Sequence, residues 1–551
     1  MNRACTARKS HVKAEVQPSA PRKAEPIRFF RSIMWGNGQT EGEDWMGQLL
    51  AMLEEAADLD GHRLAVAEGN ARITYEELAQ QIRRLTAELQ RGRPSVYGLV
   101  MDQTLPSVLL LLALLESGHA VLPVDDLLTP SELQRIGLVG QVQGWVVPDR
   151  QTSLGAQGER EEEQRIPYSR FFRDETAYAG TGTAIPDREQ GTDGSNPRGH
   201  ASCRLNSMNN SGHSPILYQL TSGTTGEPKL ARLAWRTVLR EGSVYSDWFG
   251  YHAADIVVLT APLNHLYGLS AGLFASLCAR STLVICRRPT PRKAIRLVHD
   301  CGATILIGVP QFYQLMSDVH QPAQADRRQM RFAVSAGGPL PLELPRAYEK
   351  KWGHRLLQVY GSTETGAVAA QHPARTYEAA CTGELLPGVR AWIHEEQRLV
   401  VQSPSLFSGY VTAGGEENPI TDGSYVTDDL AVLSQGRVYL QGRLPKFINV
   451  AGRKVNPREV EEACRDMPGI SEVSVYGKPD QLHGEIIVAR IAADKSLSIR
   501  EIKAYLRRHL ADYKVPHLIE RAERLARTWK ERYAVEEEGA EDGSNCDRAN
   551  Y

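Results

Sequence analysis

Short apolar runs alternate with helical patterns along much of the chain, and this alternation constrains the fold more than any other feature. Val96–Met101 and Ala120–Val124 predict strands, with a helix over residues 106–117 between them. Thr74, followed by Glu77 three residues later, predicts the N-cap of an earlier helix. Strands that alternate with helices form βαβ units, so the pattern predicts an α/β fold with a parallel sheet. Further strand-like runs are Pro215–Gln219, Ile256–Leu259, Thr282–Ile285, Thr304–Ile307 and Phe332–Ser335.

The composition excludes several other classes of protein. The 551 residues carry a net charge of −2, which leaves no general basic field for nucleic acid, so no nucleic-acid partner is expected. The eight cysteines are scattered without a C-x-x-C pair, which favours a reducing, cytoplasmic compartment over a disulfide framework. The longest apolar run, Val108–Leu115, is far shorter than the roughly 20 residues of a membrane span and predicts a buried helix.

Changes in composition divide the chain into two predicted domains with flanking tails. We expect a disordered tail over residues 1–40, a large domain over 41–442, a small domain over 443–535 and a disordered acidic tail over 536–551. Residues 150–213 are rich in charged, glycine, serine and asparagine residues. They predict a disordered surface insertion, with a functional lid as the alternative.

The segment Tyr218–Lys229, which reads YQLTSGTTGEPK, carries the most chemical information. Gly223 and Gly226 allow the backbone to close around an anion, and Lys229 adds a positive charge. The segment is not a Walker loop, because glutamate and proline follow the second glycine. The pattern predicts a triphosphate-binding loop. Its hydroxyl donors are Thr221, Ser222, Thr224 and Thr225.

This T-S-G-T-T-G-x-P-K pattern resembles the phosphate loop of the adenylate-forming, or AMP-binding, superfamily. That superfamily includes acyl- and aryl-CoA synthetases, the adenylation domains of peptide synthetases and firefly-type luciferases. The resemblance implies a large N-terminal adenylation domain of several subdomains and a small, mobile α+β C-terminal domain. It also implies ATP and Mg²⁺ as cofactors, and CoA as the favoured third.

Downstream, the segment Gln358–Thr365 resembles the family's Y-G-x-T-E motif. By this resemblance Tyr360 would stack on adenine beside Gly361, Thr363 would bond the α-phosphate, and Glu364 would hold Mg²⁺ as its metal ligand.

Two further segments resemble motifs that complete the nucleotide site. Gly337 and Gly338 match the glycine-rich strand end of the adenine pocket, where a flat base approaches the backbone. In Tyr425–Leu430, Asp429 would accept both ribose hydroxyls, and Arg443 would bond ribose or phosphate.

The chain departs from the family pattern at four places. Asp428 stands where the family has glycine, Pro445 occupies the hinge position, and Asn449 replaces a frequent lysine. The last motif is shortened before Lys530, the best match for the adenylation lysine, whose cation would stabilise the transition state. A solvated surface lysine is the alternative for Lys530.

The segment Pro262–Gly268 resembles a motif of acyl- and aryl-CoA synthetases in which His265 would border the acyl pocket. A structural histidine is the alternative. No aspartate lies between Pro262 and Arg280 to pair with a substrate ammonium, so we expect a carboxylic acid without an α-amino group. The apolar side chains that follow His265 predict either a pocket wall or helix packing. They are Leu266, Tyr267, Leu269, Leu273 and Phe274.

The implied activity is ATP-dependent conversion of a carboxylic acid to an acyl-adenylate, followed by transfer to a thiol. Free CoA is the favoured acceptor, which would place the chain in fatty acid metabolism as an acyl-CoA synthetase. Two alternatives stay open: a stand-alone ligase that loads a separate acyl carrier protein, and a degenerate nucleotide-binding member with little activity.

Overall fold

A computed structural model describes most of the chain, and the fold is reported for those residues. They are 47–91, 93–151, 164–172, 216–221, 228–319, 330–394, 397–443, 448–450, 453–480, 484–494 and 496–522. The tails predicted at 1–40 and 536–551 lie outside these residues.

Helices and strands alternate as predicted, and the chain has a mixed α/β structure with a large N-terminal and a small C-terminal domain. This confirms the predicted fold class. The α-helices are α1 Gln48–Asp60, α2 Tyr75–Leu89, α3 Leu105–Glu116, α4 Pro130–Gly140, α5 Trp235–Phe249, α6 Ala275–Ala279, α7 Pro291–Asp300, α8 Pro310–Asp318, α9 Leu344–Trp352, α10 Pro457–Arg465 and α11 Ile499–His509. A π-helical segment, Gly268–Phe274, precedes α6.

The strands fall into three sheets. In chain order they are β1 Leu64–Glu68, β2 Ala71–Thr74, β3 Val96–Met101, β4 Ala120–Asp125, β5 Gly144–Val147, β6 Gln164–Pro167, β7 Ile216–Thr221, β8 Lys229–Ala234, β9 Ile256–Leu259, β10 Thr282–Ile285, β11 Ile305–Gly308, β12 Phe332–Ser335 and β13 Arg355–Ser362. Then follow β14 Gly366–Ala370, β15 Gly383–Leu385, β16 Arg390–Ile393, β17 Arg398–Gln402, β18 Tyr410–Thr412, β19 Gly415–Glu417, β20 Tyr425–Ser434, β21 Arg437–Arg443, β22 Ile448–Val450, β23 Arg453–Val455, β24 Ile470–Asp480, β25 Gly484–Ala493 and β26 Leu518–Arg521.

The first sheet has eight strands in the order β19-β18-β8-β7-β4-β3-β5-β6. Its strands β3 and β4 are parallel and are joined through α3. Every residue of Val108–Leu115 in α3 is fully buried in the core, as the apolar run predicted. No helix in the described parts of the chain combines the length and apolar character that a membrane crossing requires.

The second sheet has 13 strands in the order β16-β17-β20-β21-β15-β14-β13-β12-β11-β9-β10-β1-β2. Its centre is parallel: Leu259 of β9 lies beside Ile307 of β11, which lies beside Val334 of β12. Ser335 of β12 in turn lies beside Gln358 of β13. The carboxyl ends of these four strands therefore meet at one edge of the sheet, where α/β folds hold their ligands.

The third sheet belongs to the small domain and has five strands, β23-β22-β25-β24 with β26 on β25. Strands β24 and β25 form a long antiparallel hairpin. Helix α10 begins at Pro457, and proline is favourable in a first helical turn. Val460 of α10 and Ile502 of α11 are buried in the apolar core of this domain.

Part of the predicted insertion is structured, so the prediction of disorder over 150–213 is wrong for residues 164–172. Strand β6 pairs in parallel with β5, and the side chains of Ile166, Tyr168 and Phe171 are buried. The Tyr168 hydroxyl donates a hydrogen bond to the carbonyl of Val100. Burial of these apolar side chains stabilises β6 and the turn that follows it. Residues 152–163 and 173–215 lie outside the described residues.

The predicted N-cap at Thr74 is confirmed. Its Oγ1 accepts from the Glu77 backbone N–H at 3.3 Å, while Glu77 Oε2 accepts from the Thr74 N–H at 2.8 Å. This capping box begins α2 and satisfies two backbone donors.

Candidate functional site

The phosphate-loop segment connects two paired strands. Thr221 ends β7 and Lys229 begins β8, and the two residues lie opposite each other in an antiparallel register. The Thr221 hydroxyl donates to the Lys229 carbonyl at 3.1 Å. The chain between them must therefore leave and return at the same point, which is how a loop closes around an anion. Five predicted site residues, Ser222, Gly223, Thr224, Thr225 and Gly226, lie outside the described residues.

The Lys229 ammonium lies beside a short acidic hairpin formed by β18 and β19. Its Nζ is 3.1 Å from Glu417 Oε2 and 5.6 Å from the centre of the Tyr410 ring. One residue earlier, Glu416 pairs with Arg232 of β8 at 2.6 Å. The structure thus positions a cation at the end of the loop and holds it with a partly exposed carboxylate.

Thr363 and Glu364 lie in the tight turn between β13 and β14. The turn is closed by Ser362, whose N–H donates to Thr365 Oγ1 at 3.1 Å. The Tyr410 hydroxyl donates to Glu364 Oε1 at 2.7 Å. Burial and the Glu364 carboxylate raise the pKa of Tyr410, so this phenol stays a donor across the ordinary pH range. The turn brings the candidate metal ligand into contact with Tyr410 of the β18–β19 hairpin, whose ring also lies close to Lys229.

Tyr360, which precedes this turn, contacts the predicted ribose-binding acid directly. Its hydroxyl donates to Asp429 Oδ2 at 2.8 Å. Burial, followed by the Asp429 charge, raises the pKa of Tyr360. Arg443 lies opposite Asp429 in the β20–β21 register, with its Nε 3.6 Å from Asp429 Oδ1. The structure therefore brings these three predicted residues together in one hydrogen-bonded and ion-paired group.

Asp428, which replaces the family's glycine, does not need an unusual backbone. It lies in the extended strand β20 and is absent from the described non-glycine residues with positive φ. Its carboxylate pairs with Arg398 at 3.3 Å, away from the Asp429 group. Asp428 thus occupies its position with ordinary strand geometry.

Gly337 and Gly338 follow β12 and leave the sheet at the edge where β13 carries Tyr360. Gly337 has a φ of 82°. Two phenols bind the backbone of β12 just before these glycines: the hydroxyls of Tyr267 and Tyr313 donate to the Val334 carbonyl at 2.8 and 2.9 Å. The glycines and Tyr360 thus share the carboxyl edge of the parallel strands.

His265 follows β9, which ends at the same edge. The His265 N–H donates to the Pro262 carbonyl at 3.3 Å, and its own carbonyl accepts from Leu269 at 3.1 Å. The ring is half-buried. Beyond it, Leu269, Leu273 and Phe274 are fully buried in the main core. For these three residues the structure favours helix packing over a pocket wall.

Three residues of the site were missed from the sequence: Tyr410, Glu417 and Glu241. Glu241 of α5 is buried, and its Oε2 accepts from the Ala367 N–H at 2.8 Å. Burial raises the pKa of Glu241 to about 7, although hydrogen bonds from Ser405 and Ala367 oppose this. Glu241 gave no clear signal, because its helix also carries the charged residues Arg236, Arg240 and Asp247. Tyr410 and Glu417 gave none either, since short exposed hairpins carry acids and aromatics for many reasons.

The acidic side chains of the described residues do not form a ready-made metal cage. No group of three or more histidine, cysteine, aspartate or glutamate side chains lies close enough to hold an ion there. A single carboxylate is consistent with Mg²⁺, which keeps several waters and is completed by substrate phosphates. Glu364 fits that limited role. Lys530, the predicted adenylation lysine, lies outside the described residues.

Comparisons with known proteins concern the family and the fold. A family model described as AMP-binding enzyme matches residues 53–411, and a model described as AMP-binding enzyme C-terminal domain matches residues 459–531. A 3,4-dihydroxybenzoate–[aryl-carrier protein] ligase from Bacillus anthracis is 28% identical over 324 residues, which cover 58% of this chain and 72% of that protein.

Two further matches cover different shares of this chain and of the matched proteins. A long-chain-fatty-acid–CoA ligase from Bacillus subtilis (strain 168) is 27% identical over 57% of this chain, and the match spans only 60% of that protein's length. The ATP-bound structure of MatB from Rhodopseudomonas palustris has a TM-score of 0.63 at 24% identity, covering 88% of this chain and 96% of that chain. At this identity the structural likeness shows the fold alone.

Proposed function

Because this chain belongs to the family of AMP-binding enzymes, whose model matches residues 53–411, we propose that it is an AMP-forming acid–thiol ligase. In the first step a carboxylate oxygen of the acid attacks the α-phosphorus of ATP, and the bond to pyrophosphate breaks. In the second step a thiolate attacks the acyl carbon of the adenylate, a thioester forms, and AMP leaves. The observation that carries the proposal is the group of Tyr360, Asp429 and Arg443 beside the Glu364 turn.

In this proposal the nucleotide lies along the carboxyl edge of β12 and β13. Tyr360 and the glycines at 337 and 338 receive the adenine, and Asp429 accepts the ribose hydroxyls. The phosphates approach the loop that ends in Lys229. On binding, the ribose hydroxyls would take the place of the Tyr360 hydroxyl at Asp429, so the free site is kept hydrogen-bonded until the substrate arrives.

The phosphate end of the site needs positive charge during the first step. Glu364 would hold Mg²⁺, which neutralises phosphate charge and polarises the α-phosphorus. Thr363 would bond the α-phosphate. Lys530 would stabilise the charge that develops between carboxylate and phosphate. These roles and the boundaries at 442 and 443 are predictions.

The proposed carboxylic acid substrate and the proposed thiol acceptor rest on different observations. The missing aspartate between Pro262 and Arg280 favours an acid without an α-amino group. The acceptor is CoA in the first version of the proposal, as in the long-chain-fatty-acid–CoA ligase relative. A role in fatty acid metabolism and a cytoplasmic location belong to this version.

A second candidate is a ligase that loads a separate carrier protein, favoured by the match to an aryl-carrier protein ligase. A third, a nucleotide-binding member with little activity, rests on the departures at Pro445, Asn449 and Lys530. Asp428 no longer supports it, since its backbone is ordinary strand.

ATP–pyrophosphate exchange on the purified chain tests the proposal. Pooled short-chain, fatty and aryl acids should each be tried, and separating the active pool should identify the substrate class. Acid-dependent exchange is expected, and subsequent addition of CoA should yield AMP and a thioester. Exchange without CoA-dependent turnover would favour a carrier protein as the acceptor. ATP binding without exchange in any pool would refute the proposal and favour the inactive member.

Lys530→Ala tests the adenylation lysine within the same assay. Exchange should fall at least about a hundredfold, because a preorganised charge in the transition state contributes several kcal/mol. Lys514→Ala is the matched control on the small domain. Lys514 pairs with Glu459 at 2.5 Å near the surface, so its loss should leave exchange within about twofold. Equal effects of the two variants would exclude a specific role for Lys530.

A further inference from the structure

Glu241 is a buried carboxyl that the proposed reaction does not use. Its side chain is 2% exposed and lies on α5, which begins directly after β8. Leaving an acid in such a place is costly unless hydrogen bonds compensate. The position of those bonds therefore indicates what the residue does.

The carboxylate of Glu241 holds two separate pieces of backbone. Oε2 accepts the Ala367 N–H at 2.8 Å, at the start of β14. The Ser405 hydroxyl donates to the same carboxylate. Both contacts join segments that are far from Glu241 in the sequence and that lie on either side of the Glu364 turn.

These two segments are the ones that hold Glu364. Ala367 is three residues after Glu364 in the same turn and strand. On the other side, Phe407, two residues after Ser405, donates its N–H to the Glu364 carbonyl at 2.9 Å. Glu364 is thus fixed through both its following backbone and its carbonyl, and both supports lead back to Glu241.

The packing around this carboxyl leaves no room for adjustment. A Cβ on Gly366 would lie 2.7 Å from Glu241 Oε1 and 2.6 Å from the Cβ of Ser405. Gly366 has a φ of 66°, which places the turn in a conformation that other residues rarely adopt. The turn is therefore pressed against Glu241 and not merely bonded to it.

We propose that Glu241 is a positioning residue that sets the orientation of Glu364 toward the metal nucleotide by holding both sides of its turn. The inference rests on the proposed function, since it gives Glu364 its metal. Helix α5 continues the strand that starts at Lys229, so Glu241 also ties the Glu364 turn to the element that carries the phosphate-loop lysine.

The test compares two substitutions of nearly equal volume. In Glu241→Gln the side-chain oxygen still accepts from Ala367, whereas Glu241→Leu fills the space without an acceptor. The Mg²⁺ concentration that half-saturates ATP–pyrophosphate exchange should rise about tenfold in the Leu variant, because the backbone of the turn loses its buried hydrogen-bond acceptor. It should rise less than about threefold in the Gln variant.

Glu116→Leu is the matched control. Glu116 is a second acid buried to 2% exposure, on α3, and burial raises its pKa to about 7 as well. Its loss should lower the unfolding free energy without changing the Mg²⁺ requirement. A rise in the Mg²⁺ requirement equal to that of Glu241→Leu would show a general effect of losing a buried acid and would overturn the proposal. An unchanged requirement in Glu241→Leu would do the same.

Hydrogen exchange of the Ala367 amide provides a readout that needs no activity. Its protection should fall at least about tenfold in Glu241→Leu and persist in Glu241→Gln and Glu116→Leu. Retained protection of the Ala367 amide in Glu241→Leu would refute the role proposed for Glu241, whether or not the unaltered chain is active. Absence of pyrophosphate exchange in the unaltered chain would refute the proposed function, which is a separate result. If Glu241→Leu does not fold, Glu241→Asp replaces it, since a carboxylate withdrawn by one methylene cannot hold both segments.

Discussion

Asp429 and Asp428 are neighbours in one strand, yet the structure gives them opposite surroundings. Asp429 faces Tyr360 and Arg443, whereas Asp428 faces Arg398. Alternation of side chains along β20 explains this, because consecutive residues of a strand point to opposite faces. The pair therefore offers a test of the nucleotide site in which charge, strand and position along the chain are nearly constant.

Asp429→Asn should raise the KM for ATP about tenfold or more, because the ribose hydroxyls lose a charged acceptor. Asp428→Asn should change it less than about threefold, since its partner Arg398 is partly exposed. Steady-state pyrophosphate exchange at varied ATP measures both. Equal shifts in the two variants would contradict the placement of ribose at Asp429.

At the scale of the element, the turn between β13 and β14 carries the tightest constraints. Its Gly361 and Gly366 lie so close that a Cβ on Gly361 would be 2.3 Å from the Gly366 carbonyl oxygen. This close approach constrains the backbone that carries Glu364. The turn between β20 and β21 also contains a glycine with positive φ, Gly436, but nothing lies within 4 Å of its Cβ position.

Gly366→Ala should destabilise the chain by about 2–4 kcal/mol, from left-handed strain together with overpacking. Gly436→Ala is the matched control: its φ is 75°, but nothing lies within 4 Å of its Cβ position, so only about 1 kcal/mol is expected. Urea unfolding of both variants measures the difference. If Gly366→Ala lowers the unfolding free energy no more than Gly436→Ala does, the side chains of Ser405 and Glu241 must move aside to admit the methyl group.

At the scale of the whole molecule, two buried acids make stability depend on pH. Burial raises the pKa of Glu116 and of Glu241 from 4.5 to about 7. The folded chain therefore favours their protonated forms. This contribution to the unfolding free energy is complete below about pH 4.5 and is lost as pH rises through about 7, at about 3 kcal/mol for each carboxyl.

Glu116→Gln removes one of these pH-dependent contributions, because an amide does not ionise. Between about pH 5 and about pH 8 the unfolding free energy of this variant should therefore improve relative to the unaltered chain, by up to about 3 kcal/mol. Urea unfolding at the two pH values measures this. Glu54→Gln, whose side chain is 40% exposed, should show little relative change. The prediction fails if Glu116→Gln behaves like Glu54→Gln.

The parallel strands were the part of the fold most open to prediction from sequence. Ile256–Leu259, Thr282–Ile285 and Phe332–Ser335 have the bounds that their apolar runs predicted, since strands buried on both faces read as continuous apolar segments. Strand β6 was not predicted, because Ile166 and Tyr168 stand between polar tracts and acquire a partner only through β5.

The candidate site was predictable as a set of motifs but not as a set of contacts. The sequence pointed to Tyr360, Asp429 and Glu364 separately. It could not show that Tyr360 donates to Asp429 or that Tyr410 donates to Glu364, because both contacts join residues that are distant along the chain. For the same reason Glu241 was missed. The functional roles of all these residues stay predictions.

The pairing of β1 with β10 has a consequence for synthesis on the ribosome. Val66 lies beside Leu283, and Tyr410 of β18 lies beside Ala231 of β8. Strand β1 can pair with β2 as soon as both are made, but its neighbour on the other side, β10, is made only after half of the chain. Until then β1 exposes the backbone groups on that side, so a nascent chain stalled before residue 280 should be cut by protease near β1, whereas one stalled well beyond β10 should resist.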